Sequence, residues 1–105
     1  MREMIHIIDD SAAVLARGEE LFHDLANPVE YAAARMHVLD LDTAADQLRD
    51  ETRDGTPGVP WRALARTRDK YAHHHEDIDR TAVWNVLAVD FPRIKAELER
   101  HLAES

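Results

Sequence analysis

The sequence predicts an all-α protein, folded as an antiparallel bundle of about four helices. Apolar residues recur three or four positions apart through most of the chain, which is the spacing of one face of an α-helix. The helix formers Ala, Leu, Glu and Arg are abundant, whereas only 3 Gly and 4 Pro are available for turns. At 105 residues the chain is long enough for one core, so we expect residues 1–105 to form a single domain.

The charge is acidic overall but uneven along the chain. The formal net charge is −8, and residues 1–55 account for all of it, whereas residues 60–75 are clearly positive. The net charge argues against general attraction to nucleic acid but permits local binding of an anion. Cysteine is absent, which excludes disulfides, thiol nucleophiles and cysteine-based zinc sites. No apolar run suits a signal peptide or a membrane helix, so we expect a cytoplasmic protein without a membrane partner.

Two helices are expected in the acidic half. The first runs from about Arg2 to Arg17 and should continue through Gly18 with a kink, although a separate short segment is the alternative. The second begins at Asn27-Pro28, where Asn27 suits the N-cap and Pro28 the first helical position, and runs to about Arg53. The apolar stripes are Ile5, Ile8, Ala12 and Leu15, then Tyr31, Ala34, Val38, Leu41, Ala45 and Leu48. The other side of the second helix carries Asp40, Asp42, Asp46 and Asp50, which is typical of a solvated face.

A loop rich in Gly and Pro, residues 54–60, separates these helices from two more. The third helix begins near Pro60 and ends within residues 73–77. The fourth spans about Arg80 to Ala103, with Asp79 as its cap and a kink predicted at Pro92. Its stripe is Val83, Leu87, Phe91, Ile94, Leu98 and Leu102. Off that stripe lie Trp84, Val86 and Val89, which indicate a second contact face of the kind that covers a partner chain.

The positive stretch contains an Arg and a His that could serve ribonuclease chemistry, Arg68 and His73. An Arg fork suits phosphate oxygens, and a His can exchange protons near neutral pH. Together they can cleave RNA without a metal, one group moving a proton and the other stabilising charge in the transition state. On an ideal helix the two residues are about 140° apart, so they converge only at a helix end or in a cleft shared by two chains. An exposed Arg and an exposed His at a helix end are the alternative.

The residues around this pair resemble the HepT-type toxins of the HEPN superfamily. The similar segments are Val59-Pro60-Trp61-Arg62, Arg68-Asp69-Lys70-Tyr71-Ala72-His73, Ile78-Asp79 and Val83-Trp84. The family signature is an Arg, usually a polar residue, and a His a few positions on, here Arg68, Asp69 and His73. The resemblance implies an all-α bundle that forms a homodimer, with the Arg and His of both chains in a cleft at the interface. It also implies a metal-independent endoribonuclease that needs no cofactor, and a nucleotidyltransferase antitoxin that modifies a Tyr two residues after the His.

The sequence departs from the family at that Tyr, because His75 occupies the position. Control by modification of the Tyr therefore does not carry over, and Tyr71 is on the wrong side of His73 to replace it. Arg68 and His75 are seven residues apart and nearly in line on a helix, so His75 could assist in the cleft. The run of His73, His74 and His75 also suggests a metal site, but adjacent residues splay apart and rarely bind one ion.

A basic face accompanies the signature, since Arg62, Arg66 and Lys70 are spaced four residues apart. They could hold an RNA backbone beside the cleft, as could His75, or they could pair with acids of the second helix such as Asp46 or Asp50. The leading hypothesis is thus a HEPN-type ribonuclease, the toxin of a toxin–antitoxin pair. The alternatives are a non-catalytic HEPN scaffold or nucleotide-binding partner of a nucleotidyltransferase, and a metal-binding bundle.

Overall fold

A computed structural model describes residues 1–73 and 79–104, without the side chains of Arg68 and residues 71–73. Within these ranges the chain is helical and contains no β-strand, which confirms the all-α class. The helices are α1 (Arg2–Ala16), α2 (Glu19–Phe22), α3 (Val29–Asp46), α4 (Asp50–Asp54), α5 (Trp61–His73), α6 (Arg80–Asn85) and α7 (Phe91–Glu104), with a π-helical segment (Val86–Asp90) joining the last two. No described helix is both long and apolar enough to cross a membrane.

The core lies where α1, α3, α6 and α7 meet, with α5 packed on α3. Phe22, Leu41, Phe91 and Leu98 are fully buried at its centre, each removed from water on every side. In the last helix the predicted stripe is buried from Val83 to Leu98, whereas Leu102 is only partly buried. In the second predicted helix the stripe is also confirmed, with Tyr31 and Leu48 at its half-buried ends.

The stripe of α1 is one position out from the prediction. The fully buried residues are Met4, Ile8, Ser11 and Val14, whereas the predicted Ile5 and Leu15 are half-buried against the core and the predicted Ala12 is exposed. Ser11 can be buried because its hydroxyl donates a hydrogen bond to the carbonyl of Ile8, 2.6 Å away. A satisfied hydroxyl costs little on burial, which allows a polar residue to occupy a core position.

The prediction that the first helix continues through Gly18 is wrong. The N–H groups of Arg17 and Gly18 donate to the carbonyls of Val14 and Leu15, which tightens and ends the last turn of α1. Gly18 then adopts φ 97° and ψ 150°, a conformation essentially confined to glycine, and α2 starts in a new direction. The short separate segment is therefore the correct alternative.

The boundaries of the second predicted helix also need correction. Pro28 precedes the helix instead of opening it, and Asn27 does not cap a backbone N–H. The Asn27 amide instead donates to the carboxylate of Glu30, at 2.6 Å. At the other end α3 stops at Asp46, and α4 follows after the extended residue Arg49. The Arg53 guanidinium stabilises this break, since it donates to the freed carbonyl of Leu48 at 2.8 Å.

The acidic face of α3 is not entirely solvated. Asp40 and Asp46 are exposed, as is Asp50 beyond the helix, but Asp42 is 2% exposed. Position 42 is one turn after Val38 and next to Leu41, so it falls within the buried face, which is wider than the predicted stripe.

A change of helix type precedes Pro92, where a kink is predicted. The helix changes to π-type hydrogen bonding over Val86–Asp90 before α7 begins. Pro92 has no N–H to donate to the carbonyl four residues earlier, and a single π turn accommodates that loss. The predicted cap also forms, because the carboxylate of Asp79 accepts a hydrogen bond from the Thr81 N–H at 2.8 Å. The second contact face is partly open, with Trp84 and Val86 half-buried and Val89 49% exposed.

Candidate active site on helix α5 and its surroundings

Helix α5 carries the predicted signature, and its first turn is firmly attached. The indole N–H of Trp61 donates to the carbonyls of Arg53 and Thr56, both at 3.2 Å. Val59 and Leu64 are buried on either side of this contact. The Pro-Trp element therefore acts as an anchor that fixes the start of α5 against the preceding loop.

The predicted basic face is present and open. Arg62, Arg66 and Lys70 are all exposed, and in the described part of the chain none of them forms an ion pair. The alternative pairing with Asp50 is not observed, because that carboxylate lies 3.9 Å from Arg53 instead. Asp69, placed with the candidate catalytic residues, is also exposed. Three adjacent positive charges on one helical face can thus contact a polyanion.

The two central residues, Arg68 and His73, both belong to α5, and His73 is the last residue of that helix that the structure describes. Their backbone positions differ by about 140° on a regular helix, so they leave the axis in different directions. Their side chains lie outside the described residues, as does His75. The contacts of these three side chains, and the shared cleft they would form, therefore stay a prediction.

Beyond the signature, helix α6 begins with a contact that the sequence did not suggest. The Arg80 guanidinium donates to the carbonyl of Phe22 at 2.9 Å and lies 4.3 Å from the ring centroid of Tyr31. Arg35, one turn after Tyr31, also lies over that ring, at 5.7 Å. Only the Tyr31–Arg35 spacing of four residues is a signal in the sequence, since Arg80 reaches the ring through tertiary packing.

Two acids are buried near these helices. Glu30 is 4% exposed and is neutralised by Arg17, whose Nε lies 2.5 Å from its carboxylate. Asp42 is buried on α3, the helix on which α5 packs. A buried carboxylate needs charge or hydrogen-bond partners, so Asp42 is a candidate for organising the surface under α5 that sequence reasoning missed.

One perturbed titration lies away from the candidate site. A hydrogen bond from the Lys95 ammonium to Asp9, 2.6 Å away, raises the pKa of the lysine above its usual value. This pair joins α7 to α1 at the surface and has no part in the candidate site. Among the described residues no three His, Asp or Glu side chains converge in a way that could hold a metal ion.

Comparison with known sequences identifies the class of protein. The sequence model of the family described as Ribonuclease HepT-like matches residues 8–101. The chain thus belongs to the HepT-like ribonuclease family. This membership is consistent with the all-α fold and with the signature residues on α5.

Similar proteins occur in archaea. One from Methanocaldococcus jannaschii, whose name gives RNase as its expected activity, is 29% identical over 82 residues, which is 78% of this chain and 65% of the relative. One from Thermococcus cleftensis, named for an expected ribonuclease HepT activity, is 36% identical over 44 residues, 42% of this chain and 40% of the relative. The chain thus spans less than two thirds of the length of these two relatives. No solved structure matches it.

Proposed function

We propose that this chain is a metal-independent endoribonuclease, the toxin component of a toxin–antitoxin pair, with Arg68 and His73 as its catalytic residues. The observation that carries the proposal is the unpaired basic face of α5, which flanks the family signature in a chain of the HepT-like family. His73 would move a proton at the 2′-hydroxyl or the leaving 5′-oxygen, while Arg68 stabilises charge on the phosphorus. Asp69 is placed between them in sequence and would assist from the same helix end.

The test is cleavage of RNA by purified protein in the presence of EDTA. We expect His73→Ala to lower kcat by about 10²–10⁴-fold, the usual contribution of a general acid or base, and Arg68→Ala to abolish cleavage. Arg49→Ala is the matched control, because Arg49 is an exposed arginine in the link between α3 and α4. Full activity of both site variants would refute the assignment of these residues.

The proposed active form is a homodimer with one continuous cleft. Support comes from the helical geometry, which separates Arg68 and His73 within one chain, and from apolar residues left at the surface, including Val89 at 49% exposure and Met36 at 56%. Sedimentation should give a dimer, and mixing Arg68→Ala with His73→Ala chains should restore part of the activity. A fully active monomer would contradict this arrangement.

The proposed partner is a nucleotidyltransferase antitoxin, and residues 1–105 are proposed to act as one domain.

His75 stands where the family Tyr would be modified, and it favours a second candidate: a non-catalytic HEPN scaffold that binds such an enzyme. The two functions differ in one measurement. A stable complex with the nucleotidyltransferase and no cleavage at any protein concentration would support the scaffold. RNA cleavage by the wild type that the transferase suppresses would support the toxin. In the His75→Tyr variant, we expect the suppression of cleavage to require modification of the introduced tyrosine.

A further inference from the structure

A second cationic site lies apart from the basic face of α5. It consists of Tyr31 and Arg35 on α3 and Arg80 on α6, here called the Tyr31 cluster. The guanidinium carbons of Arg80 and Arg35 lie 4.3 and 5.7 Å from the same ring centroid. Because both distances share that centroid, the two guanidinium groups are within about 10 Å of each other.

The two arginines of this cluster are brought together without an acid between them. In the described part of the chain neither forms an ion pair, and the Nε of Arg35 is buried without a hydrogen-bond partner. The nearest buried acid in sequence, Glu30, is already held by Arg17 and Asn27. Two like charges held at one ring repel each other, and an anion bound beside both would offset that repulsion.

The donors of the cluster define the class of anion. A guanidinium has five N–H donors in a planar fork, and Arg80 uses one of them on the carbonyl of Phe22. Both arginines are only partly buried, so their remaining donors can reach a ligand. Tetrahedral phosphate oxygens accept such forks in pairs, and two guanidinium groups whose free donors face one point can hold one phosphate.

We propose that the Tyr31 cluster binds a backbone phosphate of single-stranded RNA outside the scissile linkage. This inference rests on the proposed function, and it extends the RNA path from α5 to α6. Arg80 is seven residues after His73, so it lies within about 25 Å of it along even a fully extended chain. The cluster therefore contacts a phosphate a few nucleotides from the one that is cleaved.

The test is binding of a 2′-O-methyl RNA oligonucleotide, which lacks the attacking hydroxyl, measured by fluorescence anisotropy at several salt concentrations. Each phosphate contact on a single strand contributes about 0.7 to the slope of log K against log salt. We expect Arg80→Ala and Arg35→Ala each to reduce the slope by about 0.7. The double variant should lose no more than that, because one phosphate is shared. Arg80→Lys should retain the slope, and Arg49→Ala, an exposed arginine elsewhere, should leave it unchanged.

The outcomes separate this site from a structural role. A lower melting temperature with an unchanged slope would overturn the inference and leave Arg80 as a packing residue or a contact for a protein partner. Separate losses that add in the double variant would also overturn it, since they indicate two phosphates. Arg35→Ala keeps the test valid if Arg80→Ala fails to fold, because Arg35 has no hydrogen bond to Phe22. Inorganic phosphate that competes at millimolar concentration while RNA length has no effect would indicate a free anion instead. Cleavage with unchanged slopes refutes the cluster alone, and altered slopes without cleavage refute the ribonuclease alone.

Discussion

Replacing Gly18 by Ala distinguishes a broken helix from a continuous one, because the two predict opposite signs for the change in the free energy of unfolding. Gly18 has φ 97° and ψ 150°, and a Cβ added there would meet nothing within 4 Å. The cost is therefore conformational alone, about 1–3 kcal/mol for a residue other than glycine in this region. In a continuous helix the same change would instead stabilise the protein by about 1 kcal/mol.

Urea denaturation followed by circular dichroism measures this difference. We expect the free energy of unfolding to fall by about 1–3 kcal/mol, with the melting temperature lower by about 4–8 °C per kcal/mol. Ala13→Gly, at an exposed position inside α1, is the control and should cost about 1 kcal/mol through helix propensity. A rise in stability for Gly18→Ala would refute the break between α1 and α2.

Three further predictions concern single contacts. Asp79→Ala removes the cap on Thr81 and should lower the free energy of unfolding by about 1 kcal/mol in urea titrations, with Asp79→Asn close to wild type. Phe91→Ala empties a fully buried position and should cost about 3–5 kcal/mol by the same measurement, against almost nothing for the exposed Glu99→Ala. Lys95→Met should leave thermal unfolding at pH 7 unchanged, because exposed ion pairs contribute little. Asp9 raises the pKa of Lys95 in the fold, so any contribution of the pair to the free energy of unfolding is present below about pH 10.4 and is lost as the pH rises through the folded pKa. A loss of stability at acidic pH that requires Lys95 but not Asp9 would contradict this.

The helices were predictable because their buried residues recur periodically. The breaks between helices were not predictable, since they depend on hydrogen bonds to the backbone groups that the break leaves free. The stripe from Val83 to Leu98 follows directly from apolar spacing. The end of α3 does not, since Leu48 continues its stripe and only the hydrogen bond from Arg53 makes the freed carbonyl tolerable. Gly18 signalled weakness in the pattern, but a glycine is compatible with a helix or a break, and its dihedral angles decide between them.

The candidate site divides in the same way. The basic face of Arg62, Arg66 and Lys70 was predictable from spacing on one helix, and its freedom from ion pairs then follows from the position of α5 at the surface. The burial of Asp42 was not, because an acid beside an apolar stripe is usually solvated, and only the tertiary packing of α3 against other helices removes it from water. The contact between Tyr31 and Arg80 joins residues on different helices, which no local pattern encodes.

The contacts that hold the start of α5 and the start of α6, here called the anchors, lie on either side of the signature. Trp61 holds the start of α5 through two carbonyls, and Asp79 and Arg80 hold the start of α6 through Thr81 and Phe22. Every residue proposed to act on the scissile phosphate lies between these two points in the sequence. A cleft made of two side chains on different sides of one helix depends on the direction in which that helix approaches its partner. The residues that set this direction are therefore the anchors. Substitutions of Trp61 or Asp79, which have no proposed contact with RNA, should alter kcat more than the affinity for RNA, whereas losses on the basic face should alter affinity first.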